Sequence, residues 1–157
     1  MQLHNLSSIF VKNIINMAKF EEVFEDTQAM FSNFTKEIDN LTQVKIKILA
    51  NNRLKEIGKV VKANDLLKHM TNEDVIILLN EQIFEQLEEE QKLMVVEELI
   101  ARIYFDDEKD KLTIVSPDVN TFSLLLRKYG YDKYEVLHES IKALFSQEAE
   151  VEAENNK

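Results

Sequence analysis

The chain has no cysteine and no tryptophan, and its 157 residues include only two glycines and one proline. Without cysteine there is no disulfide framework and no thiol nucleophile, which fits a reducing compartment. So few glycines leave no glycine-rich phosphate loop and no Gly-x-Ser-x-Gly nucleophile turn, and they favour helices. Because no apolar run approaches the roughly 20 residues that span a bilayer, we expect no membrane partner.

Positive charge is also scarce, since 19 Lys and Arg stand against 29 Asp and Glu and give a net charge of −10. Binding to a phosphate backbone needs clustered Lys and Arg, so we expect no direct nucleic-acid binding. The acidic balance favours solubility, a basic partner, or imitation of nucleic acid. The length and the apolar fraction of 45% are those of one globular domain with a sizeable core.

Three segments divide the chain. Residues 1–16 are an uncertain N-terminal extension, because Met17-Ala18-Lys19 resembles a second start; a genuine N-terminal helix is the alternative. Residues 17–147 are predicted to be a single α+β domain. Residues 148–157 (EAEVEAENNK) are predicted to be an acidic disordered tail, because they have little apolar surface to bury.

The first half of the domain predicts one helix and two strands. Phenylalanines three, four and seven residues apart favour an amphipathic helix over Ala18–Asp39. Alternation over Val44–Leu49 predicts a half-exposed strand, and Leu54–Ala63 predicts a second strand that pairs with it as a hairpin.

Two groups in this half are candidate contact surfaces for a protein partner. Core packing is the ordinary role of such phenylalanines, and protection of a sheet edge is the ordinary role of such lysines. Partner binding is the functional alternative, and its candidate residues are Phe20, Phe24, Lys45, Lys47 and Arg53.

The second half predicts a buried strand, a long helix and two further helices. Val75–Leu79 is apolar throughout, which favours a strand covered on both faces. Helix is predicted over 81–105, with residues 81–87 as a short preceding helix and Glu88, Glu89 and Glu90 at the start of the main one. A charged turn and a strand over 111–118 follow. Helices are predicted over Val119–Tyr129, capped by Asp118, and over Lys133–Gln147, capped by Asp132. The predicted fold class is α+β: a small mixed sheet of about four strands packed by a long central helix, with N-terminal and C-terminal helices.

The central helix has two apolar sides when it is plotted at about 100° per residue. One side is predicted to face the sheet, and it carries Leu93, Val96, Ile100, Ile103 and Tyr104. The second side, about a quarter-turn away, carries Met94, Ala101 and Phe105, with Glu97 and Glu98 at its flanks. We expect the last helix to pack across this second side and to leave Glu97 at its edge, hydrogen-bonded or facing solvent, because an unpaired buried carboxylate is costly.

Over residues 73–130 the chain resembles the zincin-like metallopeptidases encoded by tailed phages. The layout that carries the resemblance is an apolar strand ending in Asn80-Glu81, a Leu-acidic-Glu-Gln helix start at 87–91, Val-Val before the motif position, a charged hairpin, and Pro-Asp-Val at 117–119. Such peptidases hold zinc with the two histidines of His-Glu-x-x-His, and the glutamate activates water. Carried across, the histidine positions hold Glu97 and Ala101, and only the glutamate survives, as Glu98.

The resemblance implies a non-catalytic accessory or structural protein of a tailed phage, located in the host cytoplasm or the phage particle. It would act through protein–protein contacts, without cofactor or metal; an oligomer is possible. One alternative is a residual zinc-dependent hydrolase with Glu98 as general base. Another is an acidic decoy that imitates DNA and inhibits a basic protein.

Overall fold

A computed structural model describes residues 20–116 and 122–156. Within them the chain forms six strands and six α-helices. In chain order these are β1 (Glu21–Glu22), α1 (Glu25–Thr35), a 3-10 turn (Asp39–Leu41), β2 (Ile46–Ala50), β3 (Gly58–Lys62), α2 (Asp65–Thr71), β4 (Val75–Leu79), α3 (Glu81–Phe84), α4 (Glu89–Ala101), β5 (Ile103–Asp106), β6 (Lys111–Ile114), α5 (Ser123–Tyr129) and α6 (Tyr131–Asn155).

A mixed four-stranded sheet organises the domain, with the strand order β1-β2-β4-β3. Strand β2 is parallel to β4, while β1 and β3 are antiparallel to their neighbours. Side chains alternate between the faces, so Val75, Ile77 and Leu79 are fully buried under the helices. The α+β class with a small mixed sheet, a central helix and a long C-terminal helix is confirmed.

The predicted pairing of the two lysine-bearing strands as a hairpin is wrong. Strand β4 lies between β2 and β3 and pairs with both along five residues. Among the described residues, the second face of β4 is less well covered than the first, because Ile76 and Leu78 are partly exposed there. The most apolar strand takes the central position, where both of its edges form ladders.

The central helix ends earlier than the sequence predicted. Gln91 accepts a hydrogen bond from the Glu88 backbone N–H at 3.2 Å, which fixes the start of α4. The helix stops at Ala101, and residues 103–105 continue as β5. Ile103, Tyr104 and Phe105 are β-branched or aromatic, so they favour a strand once their neighbour β6 is available. The hairpin β5–β6 forms a separate two-stranded sheet.

The predicted sheet-facing side of α4 is partly wrong. Leu93 is 42% exposed, whereas Val95 and Leu99 are buried along with Val96 and Ile100. A Cβ added to Gly58 would lie 2.7 Å from a methyl group of Leu99. The glycine in β3 therefore lets α4 approach the sheet closely, and this contact sets the rotation of the helix.

The first helix is shorter than predicted. Within the described part of the predicted span Ala18–Asp39, residues 21–22 form β1, and helix α1 occupies only Glu25–Thr35. Phe31 is buried, and its ring centroid lies 6.5 Å from that of Phe84. Residues 1–19 lie outside the described part of the chain. The predicted N-terminal extension, and the alternative of an N-terminal helix, fall on these residues.

The two C-terminal helices follow the prediction in outline. Asp118 and the first predicted turn of α5 fall outside the described residues, and α5 begins at Ser123. Gly130, with a φ of 89°, ends α5 and directly precedes α6. Asp132 therefore does not cap α6 but lies in its first turn. Helix α6 includes residues 148–155, where a disordered tail was predicted, because Glu and Ala propagate a helix without burial. The domain boundaries themselves stay a prediction.

Candidate functional site

The three motif positions lie on the last two turns of α4 and face two different spaces. Glu97 and Ala101 line a cavity of about 450 Å³ beside α1 and α5. Glu98 lines a separate groove of about 620 Å³ between α4, α6 and the segment before β3. The helix therefore has a Glu97 flank and a Glu98 flank, which we describe in turn.

On the Glu97 flank, α5 closes over the carboxylate. Glu97 is only 7% exposed. Its Oε1 accepts hydrogen bonds from Lys128 Nζ at 2.6 Å and from the Tyr129 hydroxyl at 2.7 Å. Lys128 Nζ also lies 5.2 Å from the centroid of the Tyr129 ring. The buried charge is thus neutralised by an ammonium group and solvated by a phenol, as burial of a carboxylate requires.

Tyr129 responds to this environment. Burial is the largest cause that raises the pKa of its phenol, and the hydrogen bond to Glu97 and the Glu97 charge raise it further. A phenolate beside Glu97 would place two negative charges within hydrogen-bonding distance, so the neutral phenol is strongly favoured. Tyr129 therefore stays a hydrogen-bond donor to Glu97 through the physiological pH range.

The cavity beside Glu97 is lined almost entirely by carbon. Its apolar walls come from α1, the 3-10 turn, α4, β5 and the start of α5, and they are Phe34, Ile38, Leu41, Ile100, Ala101, Ile103, Phe122, Leu124 and Leu125. Ala101 has no donor atom, and the oxygen of Glu97 is already bonded to Lys128. Zinc requires at least three nitrogen, sulfur or oxygen ligands from the protein. Glu97 and Ala101, at the positions of the two motif histidines, do not fit that ion.

On the Glu98 flank, the groove is open and mixed in character. Glu98 Oε1 lies 3.3 Å from Arg102 Nη2, one helical turn away. The Nε of Arg102 is buried and has no hydrogen-bond partner within residues 20–116 and 122–156. The side chains of Glu98 and Arg102 are 16% and 23% exposed, so this pair is less sequestered than Glu97.

His138 of α6 lines the same groove as Glu98. The sequence placed this histidine in another element and did not bring the two residues together. His138 is exposed, and its ring contacts Tyr134, four residues earlier on the same helix; this spacing is the sequence signal that could have predicted the contact. In residues 20–116 and 122–156, no group of three His, Cys, Asp or Glu side chains could hold a metal ion.

The structure places four of the five candidate contact residues along the β1–β2 side of the sheet. Phe20 and Phe24 flank β1, which pairs with β2, and they are 39% and 62% exposed. Lys47 of β2 forms an ion pair with Glu22 at 2.9 Å. Lys45 precedes β2 and is exposed, as is Arg53 in the following loop. Their role in partner binding stays a prediction.

Helices that could cross a membrane are not found in the described part of the chain. A search of curated proteins gave no match, and a search of solved structures gave none. The model of one protein family, "Putative phage metallopeptidase", matches residues 16–145. That match spans the sheet, the α4 motif positions, α5 and the first part of α6, and the chain therefore belongs to this phage metallopeptidase family.

Proposed function

We propose that this protein is a non-catalytic member of its family, an accessory or structural protein of a tailed phage that acts through protein–protein contacts. The observation that carries the proposal is the Glu97 flank. One former histidine position carries a carboxylate bonded to Lys128 and Tyr129, and the other carries a methyl group. The proposal places the protein in the host cytoplasm or the phage particle.

The loss of the ligand positions removes the chemistry on which the surviving glutamate depends. In a zinc peptidase the metal lowers the pKa of a bound water to about 7, and the glutamate then takes its proton. Glu98 without a metal would have to deprotonate ordinary water, whose pKa is about 15.7. Glu98 also pairs with Arg102 at 3.3 Å, so its carboxylate is engaged within its own helix.

A residual hydrolase is the second candidate, and the groove on the Glu98 flank is the observation in its favour. Glu98 and His138 line the same open space, as an acid–base pair would. This candidate requires a bound metal or a measurable hydrolytic activity that depends on Glu98.

The test measures metal by elemental analysis and thermal stability with and without a chelator, in protein purified in the presence of zinc. We expect far less than one zinc per chain and no change in Tm on chelation. The double variant Glu97→His/Ala101→His is the matched control, because it restores His-Glu-x-x-His on the same helix. Stoichiometric zinc in the unmodified protein, lost together with peptidase activity in Glu98→Gln, would establish the hydrolase instead.

A further inference from the structure

The sheet has a second face, which points away from α4. Two rows of side chains cross it, as the strand registers show. The first row runs Glu22, Leu49, Leu78, Lys59, and the second runs Lys47, Ile76, Val61. Leu49, Ile76, Leu78 and Val61 form one contiguous aliphatic block at the centre of the sheet. We call this set of seven residues the outer sheet face.

The aliphatic block is not part of the domain core. The core contains the alternate residues of the same strands, such as Ile48, Val60 and Ile77, together with Val96 and Leu99 of α4. The four outer side chains are half-exposed, and the described helices that contact the core residues lie on the opposite side. An apolar cluster left on one sheet face is the usual mark of a binding surface.

The surroundings of the block are basic, although the whole chain has a net charge of −10. Residues 44–62 carry six Lys or Arg, of which Lys45, Lys47 and Lys59 alternate on the strands in phase with the outer sheet face; Lys55 lines the groove beside α4, and Asp74 accepts a hydrogen bond from the Lys45 backbone N–H at 2.9 Å. Lys47 and Lys59 lie on the outer sheet face itself, on opposite sides of the aliphatic block, and Lys45 lies at its end. Glu22 is the acidic member of the face, and it is already paired with Lys47 at 2.9 Å.

We propose that the outer sheet face binds an amphipathic acidic helix of a partner protein, with the helix's apolar side on the aliphatic block and its carboxylates against Lys45, Lys47 and Lys59. This inference rests on the proposed protein-binding function and names the chemistry of the partner. The lysines favour an acidic partner segment, because opposite charges attract across an interface. The four aliphatic side chains favour a protein over a nucleic acid, because a phosphate backbone gains nothing from them.

The size of the outer sheet face also indicates which kind of partner it can bind. Four strands about 4.8 Å apart and about 17 Å long present roughly 300 Å². A stable dimer buries about 800 Å² on each partner, so a second copy of this chain would be poorly held by this face alone. A single helix about 10 Å across fits on the block between Lys47 and Lys59.

The experiment titrates the full chain with a fluorescent 18-residue peptide that has leucines at helical spacings of three and four and glutamates elsewhere. The control peptide carries lysine at every glutamate position, and a DNA duplex is the third probe. We expect saturable binding of the acidic peptide only, weakened by salt. The variant Lys45→Glu/Lys47→Glu/Lys59→Glu should bind the acidic peptide at least about tenfold more weakly. A tenfold loss corresponds to about 1.4 kcal/mol of binding free energy. Lys36→Glu/Lys109→Glu/Lys111→Glu, which makes the same charge change elsewhere, should bind as the unmodified chain does.

A second measurement separates the competing occupants. A photo-crosslinking residue at Ile76 in the full chain alone should give no adduct to residues 1–19 and none to a second copy, and should label the acidic peptide when it is added. Adducts within the chain or between copies would overturn the proposal, as would equal binding of both peptides, binding of the DNA alone, or no binding. These outcomes leave the zinc measurement unaffected, so failure here is distinguishable from failure of the non-catalytic proposal.

Discussion

The two flanks of α4 differ in how each glutamate is held, although the residues are adjacent in the chain. Glu97 is buried, bonded to two groups from α5, and bordered by a carbon-lined cavity. Glu98 faces an open groove and pairs with Arg102 of its own helix. The comparison shows that two adjacent glutamates of one helix have different environments: Glu97 is enclosed by α5, while Glu98 has access to solvent.

Truncation of Leu99, the α4 residue that packs against Gly58, should give the largest loss of stability. Leu99→Ala removes a side chain that is 1% exposed and rests against Gly58, and we expect a loss of about 2–5 kcal/mol in the free energy of unfolding. Leu93→Ala on the same helix is the control, because Leu93 is 42% exposed and should cost less than about 1 kcal/mol. Urea denaturation measures both. A larger loss for Leu93 would mean that α4 is rotated from the orientation described.

The variants Glu97→Ala and Glu98→Ala compare how much each glutamate contributes to the free energy of unfolding. Removal of Glu97 breaks two hydrogen bonds to a buried charged acceptor, so we expect a loss of about 2–3 kcal/mol. Removal of Glu98 should cost about 1 kcal/mol or less, because its pair with Arg102 is a partly exposed one-turn pair. The same denaturation experiment applies. Equal losses of stability in the two variants would contradict the description of Glu97 as enclosed and Glu98 as open to solvent.

A smaller effect is expected from the Tyr129 phenol at high pH. Its pKa is raised above the ordinary value of 10, so the folded state retains the proton that the unfolded state releases. The resulting stability is fully present below about pH 10 and is lost as the pH rises above it. We expect stability to fall between pH 9 and about 11 more steeply in the unmodified chain than in Tyr129→Phe, which should itself cost about 1 kcal/mol at pH 7. Parallel pH curves for the two proteins would contradict the assignment.

Local patterns in the sequence were sufficient for most elements, whereas the motif positions came only from the resemblance to the peptidase family. The apolar run at residues 75–79 predicted β4, and the acidic start at 88–91 predicted the beginning of α4. The position of β4 between β2 and β3 could not be predicted in this way, because strand order depends on contacts between residues far apart in the chain. For the same reason Ile103 to Phe105 were assigned to the helix, since only pairing with β6 distinguishes the two states.

The sequence did not predict which residues would enclose Glu97. Glu97 was expected at the edge of the last helix, hydrogen-bonded or exposed, and the structure shows it hydrogen-bonded. The partners are on α5, which precedes the last helix, because Lys128 and Tyr129 lie directly before the turn at Gly130. No local pattern links these residues to Glu97, which lies 31 positions earlier. The position of His138 in the Glu98 groove was missed for a similar reason. It depends on how α6 packs, and the sequence did not determine the rotation of that helix.

The central position of β4 also sets an order of events during synthesis. Strands β2 and β3 are complete once residue 62 has been made, yet β3 has no sheet neighbour, and β2 has only β1, until residues 75–79 leave the ribosome. A premature β2–β3 hairpin, which the sequence itself favours, would occupy the two edges that β4 must enter. The nascent chain must therefore keep these two strands apart, or separate them again, before the sheet can close.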